Sequence, residues 1–155
     1  MHLEASDLAA LDDAQRLAVL ETMVIGLVAD DKVVPSELRR FEEIVMGLPW
    51  GVDREVLAGM VRGARERLAN LKTSAEVTDY VVRLAEKLPS PALRDKLVFT
   101  MATLMYADGE VVQIEKNVLG LFVVAFGITS DRVAAIRAAL NVPTPVPPPS
   151  STTTN

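Results

Sequence analysis

The feature of this chain that most constrains its fold is a segment that occurs twice, 78 residues apart. Residues 29–37, ADDKVVPSE, return as residues 107–115, ADGEVVQIE, and the same offset pairs residues 22–23 with residues 100–101, both Thr-Met. Solenoid repeats have periods of about 20–50 residues and need several copies. Two long copies instead predict a duplicated unit of several helices, folded about a pseudo-two-fold axis.

The hydrophobic pattern is helical almost throughout, and no stretch alternates as a half-buried strand does. Two segments, at about residues 12–29 and 93–106, are apolar on nearly all sides, which is typical of buried helices. The repeat pairs these two segments, so we expect them to pack as the central pair. The sequence therefore predicts an all-α, single-domain bundle of seven or eight helices, built from two repeated halves with pseudo-two-fold symmetry.

Capping residues predict where the helices begin and end. A short first helix is expected over residues 7–11 with Ser6 as its cap. The other boundary signals are caps, first-turn prolines and a terminal glycine: Asp12 or Asp13, Pro35, Asp53, Thr73 with Glu76, Ser90 with Pro91, Thr129 or Ser130, and Gly127.

The domain is expected to span residues 1–140, with repeat halves at about 12–70 and 90–140. The composition of the chain changes abruptly at residue 141: residues 141–155 are rich in proline and end in uncharged polar residues. Such a sequence predicts a disordered tail or linker, with proline-rich recognition as the alternative.

Composition excludes several classes of function. The net charge is −5, which argues against a nucleic-acid partner, and the chain has no cysteine and a single histidine, His2. Thiolate metal sites are therefore excluded, and the usual nucleophilic triads are not expected. The first residues show no basic region followed by an apolar run, and no apolar stretch is long enough to span a bilayer. We expect a cytoplasmic protein that is not an enzyme.

Each copy of the repeat carries a polar turn with an acid at either end: Asp30 and Glu37 in the first, Asp108 and Glu115 in the second. If each turn joins two antiparallel helices, the pseudo-axis can bring all four carboxylates into one shell. Such oxygens suit Ca²⁺ or Mg²⁺, whereas Zn²⁺ is less favoured without histidine or thiolate ligands. Asp31 and Glu110 are auxiliary candidates.

A purely structural interpretation of these acids stays open. Glu37 and Glu115 can stabilise helix N-termini through the macrodipole by about 0.3–1 kcal/mol each, and aspartates can shape turns. In the first copy, Lys32 would lower the affinity of an acidic cluster for a cation. The second turn does not match an EF-hand, because the twelfth position of that loop falls on Leu119.

The sequence Ala-Asp-Gly-Glu-Val at 107–111, with Glu115 on the next helix, resembles the TerB-like family, named for tellurite resistance. The likeness extends over most of residues 12–140. It implies a non-enzymatic module in a stress-response assembly, with protein partners that place it near a membrane. It also implies divalent-cation binding at Asp30, Glu37, Asp108 and Glu115. The alternative is a ligand-free adaptor that uses its surface, Trp50 or the proline-rich tail for protein contacts.

Overall fold

The computed structural model describes residues 1–28, 35–106 and 113–140, without the side chains of residues 114 and 115. Within those ranges the chain forms eight α-helices and no strand, so the predicted all-α class is confirmed. None of these helices is both long and apolar enough to cross a membrane. The helices are α1 (Ala5–Ala9), α2 (Asp13–Val28), α3 (Pro35–Met46), α4 (Arg54–Ala69), α5 (Ser74–Lys87), α6 (Pro91–Met105), α7 (Gln113–Ala125) and α8 (Ser130–Leu140).

Local capping determines where most helices begin. Asp53, Thr73 and Ser90 each accept a hydrogen bond from the backbone N–H three residues further on, at 2.9, 3.1 and 3.3 Å. Pro35 and Pro91 are the first residues of α3 and α6, where the missing N–H is not needed. These boundaries were predicted from sequence and are confirmed, as is the terminal glycine after α7, Gly127, with φ of 65°.

The start of α1 differs from the prediction, because the helix begins two residues earlier, at Ala5. Asp7, expected as its first residue, instead accepts a hydrogen bond at 2.8 Å from the backbone N–H of Glu4, which closes the first turn. Ser6 therefore lies inside the helix rather than capping it. The ammonium of Lys96 also binds both carboxylate oxygens of Asp7, at 2.9 and 3.0 Å, and this ties α1 to α6.

Helices α2 and α6 form the centre of the bundle, as the sequence predicts. Helix α2 contacts α3, α4, α5 and α6, and α6 contacts α2, α3, α7 and α8. The two central helices approach so closely that a Cβ built on Gly26 would lie 3.3 Å from the Cα of Met101. Because that atom belongs to the backbone, an alanine at position 26 would require the two helices to move apart by a few tenths of an ångström.

The repeat places Thr22 and Thr100 at equivalent positions, and both are buried with the same local contact. Each hydroxyl donates a hydrogen bond at 2.8 Å to the carbonyl four residues earlier in its own helix. This agreement is what a duplication predicts, while the pseudo-two-fold axis itself stays a prediction.

Two arginines connect α6 to the ends of neighbouring helices through hydrogen bonds. Arg94 donates to the carbonyls of Ala85 and Leu88 at 2.6 Å and to that of Phe126 at 3.1 Å, which joins the ends of α5 and α7. In α8, Arg132 binds the carboxylate of Asp95 and thereby holds the start of α8 against the N-terminal part of α6.

Two further side chains settle open points from the sequence. Trp50 is 5 % exposed and donates from Nε1 to the Val45 carbonyl at 2.8 Å, so it packs over its loop and is not a docking residue. The apolar pattern of α4 predicts that Val56, Leu57 and Ala64 lie on its buried side; Leu57 and Ala64 are buried there, whereas Val56 is exposed.

The close approach of the central helices predicts that Gly26→Ala destabilises the protein. Overpacking against a rigid backbone costs about 1–3 kcal/mol, against a gain in helix propensity of about 1 kcal/mol. We expect a net loss of free energy of unfolding, measured by urea denaturation. Gly120→Ala in α7 is the matched control, since no atom lies within 4 Å of its added Cβ. It should gain about 0.5–1 kcal/mol. A Gly26→Ala protein as stable as the wild type would contradict this packing.

Candidate functional site

The predicted acidic site lies at the connections that follow α2 and α6. The contact between Gly26 and Met101 lies two residues before the end of α2 and four before the end of α6. Because two to four residues of a helix span only a few ångströms, the Cα atoms of Val28 and Met105 lie within roughly 17 Å of each other, whatever the angle between α2 and α6. Both connections therefore start from the same region of the bundle.

Glu37 is the one predicted site residue whose side chain the structure describes. It lies in the first turn of α3, two residues after Pro35, and is 2 % exposed. A carboxylate buried to this extent requires compensation by hydrogen bonds, a cation or a proton. The helix N-terminus supplies part of it through the macrodipole. This burial is compatible with both the cation-site and the structural interpretation.

The structure does not describe the other predicted ligands. Asp30 and Asp108, with the auxiliary Asp31 and Glu110, lie outside the described residues, and the side chain of Glu115 does too. Whether the four carboxylates meet therefore stays a prediction. Among the side chains that are described, no group of three or more potential metal ligands occurs.

The structure also describes two other side chains that carry polar groups, those of His2 and Tyr106. His2 is exposed and packs edge-to-face on Phe99, with ring centroids 5.1 Å apart. Tyr106 follows the last residue of α6, directly before the second acidic turn in sequence, and lines a cavity of about 490 Å³ formed by α6, α7 and α8.

The structure also reveals a buried acid that the sequence analysis missed. Glu21 lies in the middle of α2 and is 5 % exposed, with its Oε1 3.5 Å from Nη2 of Arg67 on α4. Burial raises the pKa of Glu21, and the charges of Arg67 and Lys87 oppose that shift. A signal was present, because Glu21 is the only charged residue within the apolar stretch 17–28.

The raised pKa of Glu21 predicts a pH dependence of stability. The folded state holds this proton more tightly than the unfolded state does, so the free energy of unfolding should fall as pH rises from 4.5 through the raised folded pKa. Glu21→Gln cannot ionise, so its stability should decline less over that window in urea denaturation at a series of pH values. Glu42→Gln, at an exposed position on α3, is the control and should follow the wild type. Parallel profiles for wild type and Glu21→Gln would contradict the assignment.

Comparison with known protein families gives a match. A sequence model of a family described as tellurite resistance protein TerB matches residues 14–138, from the start of α2 almost to the end of α8. The resemblance predicted from the acidic turns is thereby confirmed. Comparisons with curated proteins and with solved structures give no match.

Proposed function

The chain belongs to the tellurite resistance protein TerB family, and from that membership we propose that it is a non-enzymatic helical module that binds a divalent cation. The cation lies between the two acidic turns, held by Asp30 and Glu37 from one copy and Asp108 and Glu115 from the other. The observation that carries this proposal is the repetition of acid, turn and acid in the same register at an offset of 78 residues.

The helix ends support a shared site. Because Val28 and Met105 end neighbouring central helices, the connections that carry Asp30 and Asp108 start close together. Like charges held near one another repel, and this raises the free energy of the cluster unless a cation or protons neutralise it.

The chemistry of the ligands favours Ca²⁺ or Mg²⁺. Both are hard cations that bind carboxylate and carbonyl oxygens. Zn²⁺ prefers thiolate or imidazole ligands. The chain has no cysteine, and its single histidine, His2, is far from both turns in sequence and packs against Phe99.

The two turns differ, and we expect them to contribute unequally. The first has Asp31-Lys32 where the second has Gly109-Glu110. The ammonium of Lys32 repels a cation, whereas Glu110 offers another oxygen ligand. The second turn should therefore dominate binding.

We further propose that the module acts through protein partners in a stress-response assembly in the cytoplasm, with partners that bring it to a membrane surface. Family membership supports this role. Because Trp50 is buried, the partners contact other parts of the bundle surface or the proline-rich tail.

Titration with calcium and magnesium chloride, followed by amide shifts in the NMR spectrum, tests the cation site. We expect saturable shifts at residues 30–37 and 108–115 at up to millimolar metal, the range of weak calcium modules, and none along α5. Asp108→Asn should weaken binding more than Asp30→Asn, because the second turn lacks the lysine. Asp79→Asn, exposed on α5, is the matched control.

The amide spectrum also reports whether each variant is folded. Turns that stay unmoved at millimolar calcium and magnesium in a folded protein would refute the cation site. They would favour the ligand-free adaptor, whose acids only cap helices.

A further inference from the structure

The cavity between α6, α7 and α8 has apolar walls along most of its length. Its volume is about 490 Å³, within the range of roughly 300–1,000 Å³ that small-molecule sites occupy. Aliphatic side chains from all three helices form the walls, among them Val98, Leu119 and Ile136. Clefts between the helices of a bundle are a common position for such sites.

Two cations lie at this cavity on different helices, Lys116 on α7 and Arg137 on α8. Both side chains are exposed, and neither forms an ion pair with any side chain that the structure describes. The described lining contains no carboxylate, although the chain as a whole carries a net charge of −5. The Tyr106 side chain adds a phenol to the same lining.

Gly120 keeps one wall of the cavity open. It lies within α7 and lines the cavity, and no atom lies within 4 Å of a Cβ built there. Glycine within a helix is less favourable than alanine by about 0.5–1 kcal/mol. Packing does not require the glycine, so the space in front of it is available to a ligand.

We propose that this cavity binds a single-chain aliphatic carboxylate. The hydrocarbon chain lies along the apolar walls, and the carboxylate lies between Lys116 and Arg137, within reach of the Tyr106 phenol. Charge complementarity selects the anion, because the described lining offers two cations and no acid. The apolar walls select an aliphatic chain over a polar or phosphorylated ligand. This site requires no metal, and it uses none of the acids proposed as cation ligands.

The test is a titration of the full-length protein with sodium decanoate below its micellar concentration, followed by methyl NMR. We expect saturable shifts at Val123, Val133 and Ile136 in the cavity, and none at Val82, which is exposed on α5. Decanol should bind more weakly than decanoate, and decyltrimethylammonium should bind weakest.

Two sets of variants separate the charged and apolar parts of the site. Lys116→Gln with Arg137→Gln should weaken decanoate binding by about tenfold or more, because it removes charge-assisted hydrogen bonds, and should not weaken binding of decanol. Gly120→Leu places a side chain in the open space and should abolish binding of both. Gly120→Ala, the conservative control, should retain most of the affinity. Methyl spectra show that each variant is folded.

Several outcomes would overturn the proposal. These are shifts that do not saturate, equal affinity for decanoate and decyltrimethylammonium, or unchanged binding in folded Gly120→Leu. Cavity shifts that depend on protein concentration without ligand would assign the surface to a second copy of the chain instead.

Discussion

Backbone contact between α2 and α6 determines the rest of this bundle. Where Gly26 meets Met101, the two central helices are closer than side chains would otherwise allow. Each helix is buried on nearly every side, and the other helices pack around this pair. The same contact brings the ends of α2 and α6 near each other, so the acidic connections begin in one region. Thus a packing constraint in the core determines where the candidate cation site can form.

Burying two helices on all sides requires every polar group on them to be satisfied. Thr22 and Thr100 meet this requirement within their own helices, by bonding to carbonyls one turn earlier. Glu21 cannot do so, and its carboxylate instead reaches toward Arg67 on α4. Burial and the arginine act on its pKa in opposite directions, and burial has the larger effect. The central pair therefore contains one acid whose ionisation opposes folding.

Sequence predicted the features that depend on local chemistry. The caps Asp53, Thr73 and Ser90 were identified correctly because each bonds a backbone amide three residues away. The predictions failed where the exposure or the partner of a side chain depends on residues that are distant in sequence. The exposure of Val56 depends on how α4 packs, and the partner of Glu21 lies 46 residues further along the chain. For the candidate site, sequence identified Glu37 by its place in the repeat but could not show that this carboxylate is buried, since burial depends on the packing around α3.

The repeat also shows how the two halves have diverged. At the offset of 78 residues, Lys116 corresponds to Leu38 and Arg137 to Gly59, so the first half has neither of the cations that line the cavity. Asp95, which holds α8 through Arg132, corresponds to Leu17. The acids of the turns occur in both copies, whereas the cations of the cavity occur only in the second. A site shared between the halves must retain its ligands in both, while a cavity formed by one half can change without affecting the other. Under the two proposals, the fold combines a cation site whose acids occur in both copies with a basic cavity whose cations occur only in the second.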